Sequence, residues 1–179
     1  PIWVAEMGGW ANEEIVPLFE AFTRRTVDAL KAHCQLWVTI NEPNVLMNGG
    51  YMEGVFPPAK KDFNAGLRAL ANMVRGHAAA YHAIHEIQPD AMVGVAHHWR
   101  GFKAANRGPL TTFVTKLHHK VFNDSFAYAL KDGKFDAVRL KLDIPEAIGT
   151  QDFAGLNYYS RDLIKFDLTR SADAFARRY

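Results

Sequence analysis

Hydrophobic residues recur at helical spacing in three long segments of the chain, and short unbroken apolar runs follow these segments. The helical segments are residues 12–30, 63–87 and 111–130. The apolar runs are residues 36–40, 91–96 and 152–157. Because residues 36–40 show no alternation of polar and apolar residues, they predict a strand that is buried on both faces, while residues 91–96 predict a second buried strand and residues 152–157 a third strand. Gly and Pro pairs predict a long loop over residues 45–61, residues 141–150 are expected to form a connector, and the pattern weakens after residue 160.

The resulting order of elements, α-β-α-β-α-β, predicts an α/β fold with right-handed βα units and parallel strands. Polar and aromatic residues gather directly after each predicted strand, at residues 41–42, 97–99 and 157–159. Function in parallel α/β folds is located at the carboxyl ends of the strands, so we expect a site at this edge. None of the three strands is followed by a Gly-rich phosphate-binding turn, which argues against a nucleotide site.

Composition and charge narrow the possible functions further. The chain has 179 residues, of which 49% are hydrophobic, and we expect one domain over residues 1–179. A net charge of +2 with scattered Lys and Arg argues against a nucleic-acid partner, and the lack of a run of about 18 apolar residues argues against a membrane partner. The single cysteine, Cys34, fits a reducing compartment, so we expect a cytoplasmic protein. The start at Pro1 suggests a processed or truncated chain.

Glu42 is the strongest catalytic candidate in the sequence. It follows Asn41 at the end of the first predicted strand, which Pro43 must terminate because proline cannot donate a ladder hydrogen bond. Burial of a carboxyl group beside aromatic rings disfavours its charged form, as a general acid near neutral pH requires. Flat faces suited to sugar rings are offered by Trp37, Trp99, Tyr158 and Tyr159. These residues alone fit equally well a structural role, in which Glu42 caps an element and the aromatic rings belong to the core.

Four segments resemble, in order and spacing, the motifs of glycoside hydrolase family 1, the β-glucosidase and β-galactosidase family. Residues 37–44 resemble its T-x-N-E-P strand, and residues 8–12 resemble its G-G-W-x-N segment. Residues 50–58 resemble its G-Y…G…P-P-G loop, with Ala59 in place of the last Gly, and residues 152–160 resemble its sixth strand, D-F-x-G-x-N-Y-Y. The resemblance covers essentially the whole chain.

This resemblance implies a partial (β/α)8 TIM barrel that contains about strands four to six and their helices. It implies a parent enzyme that hydrolyses β-glycosides with retention, through two carboxyl groups about 5–5.5 Å apart. By the same resemblance, Glu42 is the acid/base, Asn41 holds the 2-hydroxyl of the sugar, Asn157 lines the same pocket, and Tyr159 hydrogen-bonds the nucleophile. It implies a small β-glycoside as the substrate, and no metal or other cofactor.

The departures from the family pattern concern the second carboxyl group. The family's nucleophile lies in an E-N-G motif, which this sequence lacks. None of the remaining glutamates ends a predicted strand; they are Glu6, Glu13, Glu14, Glu20, Glu53, Glu86 and Glu146. We therefore expect the isolated chain to be inactive or nearly so, and to self-associate or to pair with a complementary barrel portion, because three strands leave two open edges. The alternative is a non-catalytic sugar-binding or scaffold half-barrel that self-associates.

The remaining candidates have simpler structural explanations. His97 and His98 could suggest a metal, but no third ligand has suitable spacing, so a role in the pocket wall is favoured. We expect Cys34 to be a small buried hydrophobic residue, the histidines of the second helix to lie on a solvated or packing face, and Asp152 to fix the start of its strand. Tyr51 either borders the substrate or packs within its loop.

Overall fold

A computed structural model of the chain describes residues 1–179 apart from the side chain of Ala172. The α-helices are α1 (Ile2–Glu6), α2 (Ile15–Leu30), α3 (Pro43–Met47), α4 (Phe63–Ile87), α5 (Pro109–His119) and α6 (Ser125–Asp132). The strands are β1 (Leu36–Asn41), β2 (Met92–His98), β3 (Gly101–Ala104), β4 (Lys134–Asp136), β5 (Lys141–Asp143), β6 (Phe153–Asn157), β7 (Arg161–Phe166) and β8 (Ala176–Arg178). Two π-helical turns, Asn48–Met52 and Lys120–Asp124, continue α3 and α5.

A parallel sheet of three strands, in the order β1-β2-β6, forms the centre of the molecule. The register places Val38 of β1 beside Gly94 of β2, and Gly94 beside Phe153 of β6. Helices separate these strands along the chain, so the structure confirms the predicted α/β fold with parallel strands. Within the described chain the sheet stays open, with β1 and β6 as its two edges.

Helix α4 covers one face of this sheet and carries most of the core. The carboxylate of Asp62 caps the helix by accepting a hydrogen bond from the Ala65 N–H at 3.0 Å. Its buried apolar side chains pack against β1, β2 and α6; they are Leu67, Leu70, Met73, Val74 and Ala78. The predicted helix over residues 63–87 has the same bounds in the structure. No helix in the described part of the chain combines the length and the apolar character that a membrane crossing requires.

The prediction that β1 is buried on both faces is wrong. Trp37 and Thr39 point toward α4 and its C-terminus, and the Thr39 hydroxyl lies 2.7 Å from Nδ1 of His77. Leu36 and Val38 alternate with them, lie on the opposite face, and are 62% and 49% exposed. An unbroken apolar run shows that both faces of a strand are suited to burial. Whether the second face is buried depends on whether another element of the chain packs against it.

Three further segments differ from the sequence prediction. The predicted loop over residues 45–61 begins with α3 and its π turn, because Pro43 is well suited to the first position of a helix. The predicted helix over residues 111–130 is divided into α5 and α6 by the π turn Lys120–Asp124. The predicted connector contains β5, which pairs antiparallel with β4. Cys34 is only half-buried, so its expected place in the core is also wrong.

A second sheet, in the order β3-β7-β8, follows the carboxyl ends of β2 and β6. Strand β3 pairs parallel with β7, and β8 pairs antiparallel with β7. Helix α5 packs on one face of this sheet, where Val114, Ile164 and Ala176 are buried together. The chain therefore extends the carboxyl edge of the main sheet with a small sheet, and two of its three strands lie in the region where the sequence pattern weakened.

Candidate active site

Glu42 lies at the carboxyl edge of the main sheet, between the end of β1 and the start of α3. Its backbone adopts the left-handed conformation, with φ 50° and ψ 58°. Its N–H donates to the Ala96 carbonyl at 2.7 Å, and its carbonyl accepts from the N–H groups of Val45 and Leu46. Left-handed backbone at a residue other than glycine costs about 1–3 kcal/mol and is concentrated at functional sites. The hydrogen bonds on both sides hold the side chain of Glu42 at the edge in spite of this cost.

Asn157 and Asn41 lie in direct hydrogen-bond contact with this carboxylate. The Asn157 side-chain amide donates to Oε1 of Glu42 at 2.9 Å and to Oδ1 of Asn41 at 3.2 Å. Strand β6, which carries Asn157, is separated from β1 only by β2, so the fold brings the ends of the outer strands within reach of each other. The three residues therefore form one connected polar cluster at the carboxyl edge.

Tyr159 completes the group of predicted site residues. Its ring is exposed, and the Glu42 carboxylate raises the pKa of the Tyr159 phenol, first through a side-chain hydrogen bond and then through charge repulsion of the phenolate. The structure thus brings together all four residues that the sequence assigned to the site, on the ends of β1 and β6 and the turn after β6.

His98 forms a buried wall beside this cluster. Its side chain is 5% exposed, and its ring lies edge-on to Tyr159 at 5.0 Å and to Phe122 at 5.4 Å between ring centroids. Burial, and then the charge of Arg100, lower the pKa of His98, which favours the neutral imidazole. Neither ring nitrogen of His98 has a hydrogen-bond partner among the described residues.

The ring of His97 lies in a different environment, stacked on Phe126 of α6 at 6.0 Å between centroids. Burial lowers the pKa of His97 to about 4. Within the described residues, no group of three or more His, Cys, Asp or Glu side chains is placed to hold a metal ion. The adjacent histidines contribute to packing and to the wall of the site.

Asn44 is a structural support of the site that the sequence analysis did not identify. It is fully buried, and its amide nitrogen donates to the His98 carbonyl at 2.6 Å and to the Phe122 carbonyl at 2.9 Å. These two bonds tie the first turn of α3 to the end of β2 and to the turn after α5. Its position two residues after Glu42, in the same motif, was the available signal.

Two other predicted residues have structural roles. Tyr51 is fully buried, donates to the Gly8 carbonyl at 3.1 Å and accepts from the Ala11 N–H at 3.2 Å, so of its two alternatives the structure favours packing. Asp152 accepts hydrogen bonds at the start of β6; the donors are the Val93 N–H, the Tyr81 hydroxyl and the His85 ring. Burial alone would raise the pKa of Asp152, but these hydrogen bonds together lower it.

Comparison with known proteins gives a consistent set of relatives. The fold matches a solved family 1 β-glucosidase from Thermotoga maritima with a TM-score of 0.89 and 28% identity, over 100% of this chain and 43% of that chain. β-Glucosidase A of Thermotoga maritima is 30% identical over 172 residues, which are 89% of this chain and 39% of the relative. The galactolipid galactosyltransferase SFR2 of Arabidopsis thaliana is 38% identical over 179 residues, which are 92% of this chain and 25% of the relative.

This chain thus spans less than half the length of these relatives. The solved relatives place its open sheet as part of a TIM barrel, in agreement with the fold that the sequence resemblance implied. The sequence profile named Glycosyl hydrolase family 1 matches residues 1–177, which is nearly the whole chain. The chain therefore belongs to glycosyl hydrolase family 1.

Proposed function

We propose that this chain is the part of a retaining β-glycosidase that carries the acid/base residue, Glu42. The observation that carries the proposal is the hydrogen bond from Asn157 to the Glu42 carboxylate at the carboxyl edge of the sheet, with Asn41 in the same cluster. Family membership and the β-glucosidase names of several relatives support it. Solved β-glucosidase structures from Thermotoga maritima hold the sugar-like molecules glucoimidazole and deoxynojirimycin, which supports a small β-glycoside as the substrate.

In the proposed reaction, the Glu42 carboxyl group gives its proton to the glycosidic oxygen as the bond to the leaving group breaks. A second carboxylate attacks the sugar carbon from the other side and forms a glycosyl-enzyme intermediate. Glu42, now ionised, takes a proton from water, which then attacks the intermediate. The Asn157 amide holds Glu42 in place through both steps, and Asn41 binds the sugar 2-hydroxyl. Tyr159 lies beside Glu42, where it can reach the second carboxylate.

The second carboxylate is proposed to come from outside these 179 residues. Apart from Glu42, no glutamate in the described part of the chain lies at the carboxyl end of a strand. Protonation without a nucleophile leaves the covalent step unsupported, so the isolated chain should be inactive or nearly so. The rest of a family 1 barrel should supply the missing group.

Two assays test this proposal. The isolated chain should release little nitrophenol from an aryl β-glucoside, whereas the chain joined to the remaining strands of β-glucosidase A should be active. In the joined protein, Glu42→Gln should slow hydrolysis by about 100-fold or more for a poor leaving group, and much less for dinitrophenol, which leaves without a proton. The matched control is Glu53→Gln, on a loop glutamate that bonds Asn48. Equal losses for both leaving groups, or substantial turnover by the isolated chain that Glu42→Gln abolishes, would contradict the proposal.

A second candidate is glycosyl transfer by the same residues. The observation that favours it is the 38% identity with the Arabidopsis galactolipid galactosyltransferase, against 30% with β-glucosidase A. In transfer, a sugar hydroxyl replaces water as the group from which ionised Glu42 takes the proton. The joined protein should then release more nitrophenol than free sugar when a galactolipid acceptor is present. Equal release of both products would favour hydrolysis.

The non-catalytic alternative is a sugar-binding or scaffold half-barrel that self-associates. The exposed apolar side chains on the open sheet favour it, namely Leu36, Val38 and Leu156. Calorimetry with deoxynojirimycin distinguishes the two ideas, because binding by the isolated chain without turnover in the joined protein would support the alternative.

We also propose that residues 1–179 form one incomplete barrel domain, and that the protein is cytoplasmic. The continuous core from α4 to α6 supports the first statement. The second statement is supported by Cys34, the single cysteine of the chain. The chain can therefore form no internal disulfide, as is usual for proteins of a reducing compartment. Limited proteolysis and fractionation of the source cells test these two statements.

A further inference from the structure

One face of the second sheet is covered by α5, and the opposite face is open to solvent. Along β7, Ile164 is buried against α5 and Phe166 packs beside it. The alternating residues Arg161, Leu163 and Lys165 therefore lie on the opposite face, and all three are exposed.

The strand register adds cations from the two neighbouring strands to this face. Lys103 of β3 lies beside Leu163, and Arg177 of β8 lies beside Lys165. The described strands thus place two lysines and two arginines on one face around Leu163, and Asp167, which directly follows β7, adds one carboxylate beside Arg177. Arg161 and Lys165 alternate along one strand, whereas Lys103 is distant from them in the sequence and is brought to this face by the sheet register.

Among the described residues, three of the four cations have no charge partner. Arg177 is bound to the Asp167 carboxylate at 2.6 Å. Within the part of the chain that the structure describes, no carboxylate lies within 4.0 Å of Lys103, Arg161 or Lys165. The whole chain carries a net charge of only +2, so this basic sheet face is a local excess of positive charge.

Exposed apolar side chains accompany the charges. Leu163, at the centre of the face, is 38% exposed, and Leu168, in the connection that follows β7, is 74% exposed. Basic residues interspersed with exposed leucines characterise surfaces that bind anionic bilayers, where cations meet the head groups and apolar side chains reach the acyl boundary. A hydrated acidic polysaccharide would be attracted by the cations but would gain nothing from the leucines.

We propose that the basic sheet face binds the head groups of an anionic lipid bilayer as a peripheral contact, with Lys103, Arg161 and Lys165 as the charged anchors. Such a contact needs no membrane-spanning segment. Because Arg161 follows Tyr159 by two residues, a bound bilayer would lie next to the candidate active site. This inference does not depend on the proposed glycosidase activity.

The test is sedimentation of the 179-residue chain with vesicles of phosphatidylcholine, with and without phosphatidylglycerol. We expect the chain to bind the anionic vesicles and not the neutral ones, and more weakly as salt is added. The triple variant Lys103→Glu, Arg161→Glu, Lys165→Glu should lose at least about 100-fold in partitioning. The milder triple change to Gln should lower vesicle partitioning by about tenfold or more. It replaces the Glu variant in the test if circular dichroism shows that charge reversal prevents folding.

The matched control changes two lysines and one arginine elsewhere on the surface, by Lys60→Glu, Lys61→Glu and Arg68→Glu. It alters the net charge equally and should retain most of the binding. Leu168→Ser should weaken vesicle binding several-fold. Equal losses in both triple variants, equal binding to neutral vesicles, or binding to a heparin column without binding to vesicles would each overturn the proposal.

Discussion

Glu42 occupies a left-handed backbone conformation that is unfavourable for a side-chain-bearing residue, and its neighbours hold it there. The sequence proposed Glu42, Asn41, Asn157 and Tyr159 as site residues, because they lie in short motifs that resemble those of the family. It did not identify Asn44, whose importance depends on two carbonyl groups that are distant in the sequence. The candidate site residues could therefore be predicted from the sequence. The residue that supports them, Asn44, was recognised only from the three-dimensional structure.

The contact between Glu42 and Tyr159 predicts how the phenol titrates. A carboxylate beside a phenol disfavours the phenolate, so Tyr159 should titrate above the ordinary tyrosine range. Glu42→Gln removes the charge and should bring the pKa of Tyr159 down toward its usual value. The measurement is ultraviolet difference absorbance between each protein and its Tyr159→Phe counterpart across alkaline pH. An unchanged Tyr159 titration after Glu42→Gln would contradict the contact.

The buried amide of Asn44 predicts a large loss of stability on substitution. Asn44→Ala leaves the carbonyl groups of His98 and Phe122 buried without their donor, and each unsatisfied group costs about 1–3 kcal/mol. The free energy of unfolding in urea should fall by about 3 kcal/mol. Asn64→Ala is the matched control, since Asn64 is exposed on α4 and should tolerate the change. A loss below about 1 kcal/mol for Asn44→Ala would show that water replaces the amide.

At the scale of elements, the segments with complete local signals were predicted best. Helix α4 has the predicted bounds because its apolar stripe, its Asp62 cap and Pro89 after its end are all local. The π turn between α5 and α6 leaves the apolar spacing almost unchanged, so the sequence showed one helix. Strands β3 and β8 have only 4 and 3 residues, β7 mixes charged and apolar residues, and the pairing of β3 with β7 joins distant segments, so the sequence alone did not define these strands.

His77 on α4 contacts Thr39 of β1 and Thr150, which precedes β6. These contacts predict that the stability of the protein depends on pH. His77 is fully buried, with Nδ1 2.7 Å from the Thr39 hydroxyl and Nε2 2.6 Å from the Thr150 carbonyl. Burial is the main cause that lowers the pKa of His77 to about 4, while the unfolded chain takes up the proton near 6.5. Stability is therefore complete above about pH 6.5 and is lost as the pH falls toward 4.

Between pH 7 and pH 5 this residue should cost the native protein about 2 kcal/mol. His77→Gln keeps an amide donor for the Thr150 carbonyl but cannot take up the proton. Its free energy of unfolding should be lower at pH 7 and should fall by about 2 kcal/mol less than that of the wild type on acidification. Urea unfolding at the two pH values measures both effects. Parallel pH dependence in the two proteins would contradict the assignment.

At the scale of the whole molecule, the main sheet is covered by a helix on only one of its two faces. One face is covered by α4, while the other carries exposed Leu36 and Val38, and both edges have unpaired backbone groups. The solved relatives are more than twice as long as the matched region. In a closed barrel both faces of each strand are buried, which explains why β1 is apolar on a face that is exposed in this chain. The family resemblance predicted a barrel, and the structure shows that the sheet face carrying Leu36 and Val38 is the one left uncovered.

This open face predicts that the chain self-associates until a complementary barrel portion covers it. Light scattering should give a mass above that of one chain, rising with concentration, because apolar faces and free strand edges pair. Leu36→Lys with Val38→Lys should shift the chain toward the monomer by placing charges on the edge strand. Leu110→Lys with Phe113→Lys, at exposed apolar positions on α5, is the matched control and should leave the association unchanged. The complementary portion should compete with self-association if both use the same face.

A monomer at every concentration would show that the open face is tolerated in water, and the half-barrel would then need no partner.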